Sequence, residues 1–242
     1  MSNPNGPYPG RQLFLGLTAG GQTALSYLVT GRSPASRERV AVAVDNGIRM
    51  GPLGKADYDP LRHYTAALFD RLTGTAVISN GIQTEAIYEA YRLVRNIGSP
   101  PEESYLQLLL EGARAEPDSL NTPRIAGVIT RAGDDGRMVY IAGVKRTDMS
   151  ARTLPVTVEP GVFFGVSTYQ GDLAGPLPFD VSAGLARIEF DGDGAHDLAM
   201  HLYDVSEATN EGEDIRVCAI GAVYSDEDEA WEVAVKNRHQ AG

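Results

Sequence analysis

Three stretches of this chain, residues 125–130, 138–144 and 215–224, are apolar at nearly every position rather than at every second one. Such runs predict strands buried on both faces. Shorter strand-like runs fall at 13–17, 24–29, 40–44, 64–69, 75–78, 162–169 and 186–190. The pair 125–130 and 138–144 reads as a hairpin around Gly133-Asp134-Asp135-Gly136. A different spacing appears at 83–94, where Ile82, Ala86, Ile87, Ala90, Leu93 and Val94 recur every three to four positions and predict a helix. Gly98 and Pro100-Pro101 stop it. A second helix follows, with Ser99 and Glu102 as a capping box and Tyr105, Leu106, Leu109 and Leu110 as its apolar side. Ala195, Leu198, Ala199, Leu202 and Tyr203 predict a third.

Residues 46–60 and 171–178 read as loops, and the charged end from Ser225 onward as a short helix. Residues 1–10 form a polar arm rich in Pro and Gly, and residues 11–242 a single domain. Sheets buried on both faces need helices outside or a second sheet opposite. An α/β (α+β) chain folded as a four-layer helix–sheet–sheet–helix sandwich meets both needs.

Composition narrows the function classes. A net charge of −11 argues against nucleic acid as a partner, because a basic surface should dominate there. No apolar run approaches the roughly 18–20 residues that cross a bilayer, so no membrane partner is expected. The polar start lacks a signal-peptide pattern. The single Cys218, set among apolar residues, reads as core and fits a reducing, cytoplasmic setting.

Several motifs lead nowhere. The glycines of 16–21 fit a hairpin turn rather than a phosphate loop. Residues 191–194 lack the spacing of a calcium loop. His196 and His201 lie five apart, poor geometry for one metal, and no metal site is expected. Ser2 sits too far before the first strand for an N-terminal nucleophile.

Candidate chemistry gathers where strands end. Arg32 and Arg37 flank Ser33 and Ser36 in a turn, and Arg124 opens a buried strand after Thr122-Pro123. Arginine presents a planar fork of donors suited to phosphate or carboxylate. Arg37 and Arg39, beside Glu38, read equally well as surface ion pairs. Ser79-Asn80-Gly81 ends a strand and Gln83-Thr84 begins a helix, a natural cradle for a polar ligand. Glu116 and Asp118 bring two carboxylates just before Arg124.

Taken in order, these blocks resemble the archaeal-type inosine monophosphate (IMP) cyclohydrolase family. The blocks are Tyr8-Pro9-Gly10-Arg11, Gly31-Arg32-Ser33 with Ser36-Arg37, Ser79-Asn80-Gly81 with Gln83-Thr84, Glu116-Pro117-Asp118 with residues 121–125, and Thr168-Tyr169 with residues 176–178. The resemblance covers about residues 8–180. It implies a fold like that of N-terminal-nucleophile hydrolases, without the nucleophile. It implies closure of 5-formamidoimidazole-4-carboxamide ribotide to IMP with loss of water, with a small purine ribotide as partner and no metal or redox cofactor. Assembly into a homo-oligomer also belongs to it.

The expected roles follow from that reaction. Arg32, helped by Arg37, binds phosphate or a developing oxyanion. Tyr64 donates to the formyl oxygen. Asn80, Gln83 and Thr84 hold the carboxamide or ribose. Glu116 carries the proton, with Asp118 second, and Arg124 stabilises negative charge. Tyr169 contacts substrate. A related ribotide, or nucleotide binding without turnover, remains open as an alternative.

Overall fold

The computed structural model describes residues 3–55, 57–132 and 136–240. In chain order the strands of its two large sheets are β1 (Arg11–Leu17), β2 (Thr23–Thr30), β3 (Arg39–Val44), β4 (Gly47–Pro52), β5 (Tyr64–Phe69), β6 (Ala76–Ser79) and β7 (Arg124–Ala132). They continue as β8 (Arg137–Lys145), β9 (Arg152–Pro155), β10 (Val162–Ser167), β11 (Ala186–Glu189), β12 (Arg216–Ser225) and β13 (Ala230–Asn237). The helices are the single turn α1 (Pro34–Arg37), α2 (Thr84–Asn96), α3 (Glu103–Ala113) and α4 (Ala195–Val205). This is a mixed α+β chain with antiparallel sheets and few helices.

One sheet has the order β11-β10-β1-β2-β12-β13 and the other runs as a meander from β3 to β9. The β1–β2 register sets Leu13 opposite Tyr27 and Leu15 opposite Leu25. Because strand side chains alternate, each apolar run divides between two cores. Leu13, Leu15, Leu25, Tyr27 and Val29 pack in one cluster with Ile48, Ile78, Ile125 and Ile129 of the meander. Their neighbours Phe14, Ala24 and Leu28 pack with Leu198 and Leu202 of α4. Val77, Ala126, Val128 and Ile141 pack with Ile87 and Tyr88 of α2 and Leu106 and Leu110 of α3. Burial on both faces, expected for residues 125–130, 138–144 and 215–224, is explained by this division.

Several local expectations need correction. The buried stripe of α2 is Thr84, Ile87, Tyr88 and Tyr91, whereas Ile82 and Leu93 are each 60% exposed. Aliphatic residues alone set the expected face; the tyrosine rings carry more apolar area, and the Tyr91 hydroxyl finds the Glu102 carbonyl at 2.9 Å. No side-chain cap bond starts α3: Glu102 is its N-cap in an extended conformation. Pro100-Pro101 forces the preceding backbone out of the helical region, and the Ser99 N–H instead closes α2 on the Val94 carbonyl.

The expected loop at 46–60 contains β4, with Ile48 and Met50 turned inward and Arg49 outward. The charged end is a strand, not a helix. Its acidic residues occupy the turn before β13, and Trp231 packs against Phe69 and Tyr224 at 5.2 and 5.3 Å between ring centres.

Residues 3–10, read as an arm, lie against the body. Asn5 and Tyr8 are buried, the Tyr8 N–H donates to Gly171, and the Gly10 carbonyl accepts from the Thr30 N–H at 2.7 Å. Ser2 and the hairpin tip 133–135 lie outside the described residues.

Gly221 on β12 marks the closest approach of α4 to its sheet, since a Cβ there would sit 2.1 Å from the Ala195 carbonyl oxygen. Gly221→Ala is expected to push the helix off the sheet at about 1–3 kcal/mol. That lowers the melting temperature by roughly 2–12 °C in a chain of this size, as thermal unfolding followed by circular dichroism will read.

Candidate active site

A cleft of about 250 Å³ is lined by Tyr8, Arg11, Arg39, Glu116, Thr122 and Tyr169, with Arg32, Ser33, Ser36 and Asp118 also on its wall. Larger hollows exist, among them one of about 740 Å³ beside Val162, Phe190 and His201, but arginine and lysine do not line it.

The cleft is built around Glu116. Its Oε1 accepts from Arg11 Nη2, from Arg124 Nη1 at 2.9 Å and from Asn80 Nδ2 at 3.3 Å. Asn80 follows the end of β6, and its side chain ties that end to the start of β7. Nδ2 donates to the Pro123 carbonyl at 2.8 Å, while Oδ1 accepts from the Ile125 N–H at 2.9 Å and from Gln83 Nε2 at 3.1 Å. Arg124 reaches Glu116 over the backbone of Gly81, where a Cβ would lie 2.0 Å from Nη1. A side chain at that position would push the Arg124 guanidinium from its bond to Glu116.

Arg39 is different. It is 2% exposed, yet no carboxylate pairs with it among the described residues. Its Nε donates to the Ser36 carbonyl at 2.8 Å, and its Nη1 has no hydrogen-bond partner among the described residues. Arg11 Nε and Arg124 Nε are likewise buried without partners among them. Three guanidiniums thus stand beside one buried carboxylate, and only Arg11 and Arg124 pair with it. Removing a charge from water is expensive unless it is paired, so the surplus of buried positive charge suits this cleft to an anion.

Beside Arg11 and Arg39, the Tyr27 and Tyr64 hydroxyls meet at 2.9 Å. Burial pushes both phenols above the ordinary tyrosine range. Burial pulls the Arg39 guanidinium down. The same effect acts on Arg11 and Arg124, but only at Arg11 do Glu116 and the neighbouring Tyr64 and Tyr27 together outweigh it and leave a net rise. At the opposite wall, Tyr169 stacks on Tyr8 at 5.7 Å with 16° between planes, and the Arg32 guanidinium lies 5.9 Å over the Tyr8 ring. Burial raises the Tyr169 phenol to about 12.

Of the side chains singled out in the sequence, Arg32, Glu116, Asp118 and Tyr169 line the cleft. Arg124, Asn80 and Gln83 join it through the hydrogen bonds around Glu116. Tyr64 borders a neighbouring hollow of about 360 Å³ that includes His63. Arg37 does not line the cleft; its Nη1 donates to the carbonyls of Gly31 and Arg32 and pins the turn. The Thr84 hydroxyl is engaged with Thr65, Ser79 and Gly81. Sequence reasoning assigned no role to Arg11, Tyr27, Arg39 or Thr122. For Arg39 the sequence carried no signal: its strand parity with the buried Ala41 shows only in the structure. Among the described residues no three His, Cys, Asp or Glu side chains gather as metal ligands. Nor is any helix of these residues long and apolar enough to cross a membrane.

An arginine-lined anion receptor on an antiparallel α+β body is the mark of a protein that handles a small, negatively charged molecule. The chain belongs to the IMP cyclohydrolase-like family, whose model matches residues 8–229. It is 28% identical to the IMP cyclohydrolase of Methanocella arvoryzae over 233 residues, 96% of this chain and 100% of that one. It is 31% identical to an IMP cyclohydrolase of Methanococcus maripaludis over 165 residues, 67% of this chain and 75% of the relative.

Two outcomes follow from the site. Replacing the unpaired buried charge, Arg39→Met, is expected to stabilise the fold by about 1–3 kcal/mol while destroying ligand binding; a higher melting temperature with no ligand-induced shift is the signature. Alkaline pH acts oppositely. Burial holds the Cys218 thiol and the Tyr169 phenol at about 12, above their ordinary 9.0 and 10.0, so the unfolded chain ionises first. Their contribution is complete below pH 9 and drains as pH climbs toward 12. Melting temperatures measured from pH 8 upward should fall within that window, and Cys218→Ala should remove the earlier part of the decline.

Proposed function

We propose that the cleft closes 5-formamidoimidazole-4-carboxamide ribotide to IMP with loss of water. The observation that carries the reading is the surplus of buried guanidinium over carboxylate at a site assembled from the chain segments that resemble the family. A ribotide brings the missing negative charge as its phosphate. Arg39, whose buried Nη1 has no hydrogen-bond partner among the described residues, and Arg32 at the rim receive that phosphate. Arg11 and Arg124, held in place by Glu116, stabilise the charge that develops on the formyl oxygen. Tyr64, kept protonated by burial, donates to that oxygen.

Both reacting groups belong to one molecule, so much of the rate comes from holding them in a reactive conformation. Gln83, joined to Asn80 through its Nε2 at 3.1 Å, holds the carboxamide or ribose in this reading. Asn80 sets Glu116, Arg37 shapes the turn that carries Arg32, and Thr84 locks the backbone of 79–81. With its Oε1 engaged by two guanidiniums and an amide, Glu116 serves as their positioning partner. Asp118 becomes the carboxylate that receives the proton.

The same reading extends to architecture and setting. Three apolar clusters, one shared by the two sheets and one under each set of helices, support a four-layer helix–sheet–sheet–helix sandwich like that of N-terminal-nucleophile hydrolases. It is a single domain over residues 11–242, working in the cytoplasm as a homo-oligomer on a small ribotide, without metal or redox cofactor.

The test supplies the purified protein with the formylated ribotide and follows IMP by absorbance. Product is expected, and Arg32→Ala should abolish it without changing the melting curve. A wild-type protein that forms no IMP overturns the proposal.

A further inference from the structure

One feature of the cleft wall is directional. Asp118 Oδ1 accepts the backbone N–H groups of Thr122 at 2.8 Å and Leu120 at 3.2 Å, and its Oδ2 accepts the Thr122 hydroxyl at 2.5 Å. The Thr122 hydroxyl also meets the Tyr169 hydroxyl at 2.5 Å. A threonine has one hydroxyl proton, and an ionised carboxylate only accepts. With that proton given to Asp118, Thr122 must accept from Tyr169. The Tyr169 proton therefore points away from the cleft contents, and its oxygen lone pair is left for an incoming N–H. Thr122 and Tyr169 are buried, and all three side chains line the cleft.

We propose that Tyr169, Thr122 and Asp118 form a proton relay for ring closure, a step that rests on the ribotide reading above. As the carboxamide nitrogen bonds to the formyl carbon, its proton passes to Tyr169 Oη. The Tyr169 proton passes to Thr122 Oγ1, and the Thr122 proton to Asp118 Oδ2. Negative charge moves from Asp118 to the formyl oxygen. The proton then returns along the same hydroxyls to that oxygen. Departure of the resulting hydroxyl as water, with the proton of the formamide nitrogen, leaves Asp118 as it began. Thr122 touches no reacting atom and acts as a positioning residue through Tyr169.

Thr122→Val keeps the side-chain shape and the backbone bonds to Asp118 and Glu116 while breaking the relay. Steady-state kinetics on the formylated ribotide should show kcat reduced about a hundredfold with KM unchanged, and Thr122→Ser should restore most of it. Tyr169→Phe breaks the first link and should reproduce the kcat loss, which keeps the test decisive if Thr122→Val fails to fold. Wild-type kcat in either relay-breaking variant, a loss confined to KM, or equal impairment of the Val and Ser variants overturns the relay alone. Absence of IMP from the wild-type protein overturns the ribotide reading and the relay together.

Discussion

A buried charge without a partner organises this protein. Arg39 sits at the head of an edge strand, out of water, while the single buried carboxylate of the cleft, Glu116, is engaged by Arg11 and Arg124. Such an arrangement is unfavourable for the empty fold. In the proposed function that cost is recovered when an anion enters. The surrounding features serve that state: Gly81 clears the path for Arg124, Asn80 holds the carboxylate from behind, and the Ser33–Ser36 capping box shapes the turn whose Ser36 carbonyl holds Arg39.

The two sheets give this charge cluster its rigidity. Arg11 comes from the six-stranded sheet, whereas Arg39, Tyr64 and Arg124 come from the meander. The hydroxyl bond between Tyr27 and Tyr64 links one sheet directly to the other beside the arginines. Packing of Leu13, Leu15 and Val29 in one cluster with Ile78 and Ile125 fixes the separation at which the guanidiniums meet Glu116. The geometry of the site is thus inherited from a core interface rather than from loops alone.

Much of the frame was legible in the sequence because burial on both faces leaves an unmistakable apolar run, as in β2, β7 and β12. What escaped had mixed signals. In β4 the alternation is interrupted by glycines, and β13 follows a dense acidic turn. The face of α2 depended on weighing Tyr88 and Tyr91 as core residues despite their hydroxyls. In the site, Arg32 and Arg124 stood out because each borders an apolar strand, Asn80 because it joins a strand end to a helix start, and Glu116 because it and Asp118 set two carboxylates just before Arg124. Arg11 and Arg39 did not, since a charge at the start of a strand looks the same in sequence whether it faces solvent or the interior. Three-dimensional parity with Ala41 decides the matter for Arg39.

The route of the chain between β6 and β7 carries a separate consequence. It leaves the sheet at Asn80, makes both helices α2 and α3, and re-enters past Glu116 to Arg124. The departure and return points are knotted together by the Asn80 side chain itself. The helical excursion is therefore a closed loop with a fixed neck. Its outer surface, including the exposed Leu93, Ile97 and Leu108, is free to drift in evolution or to be redesigned, because changes there reach the neck only through the packing beneath the helices.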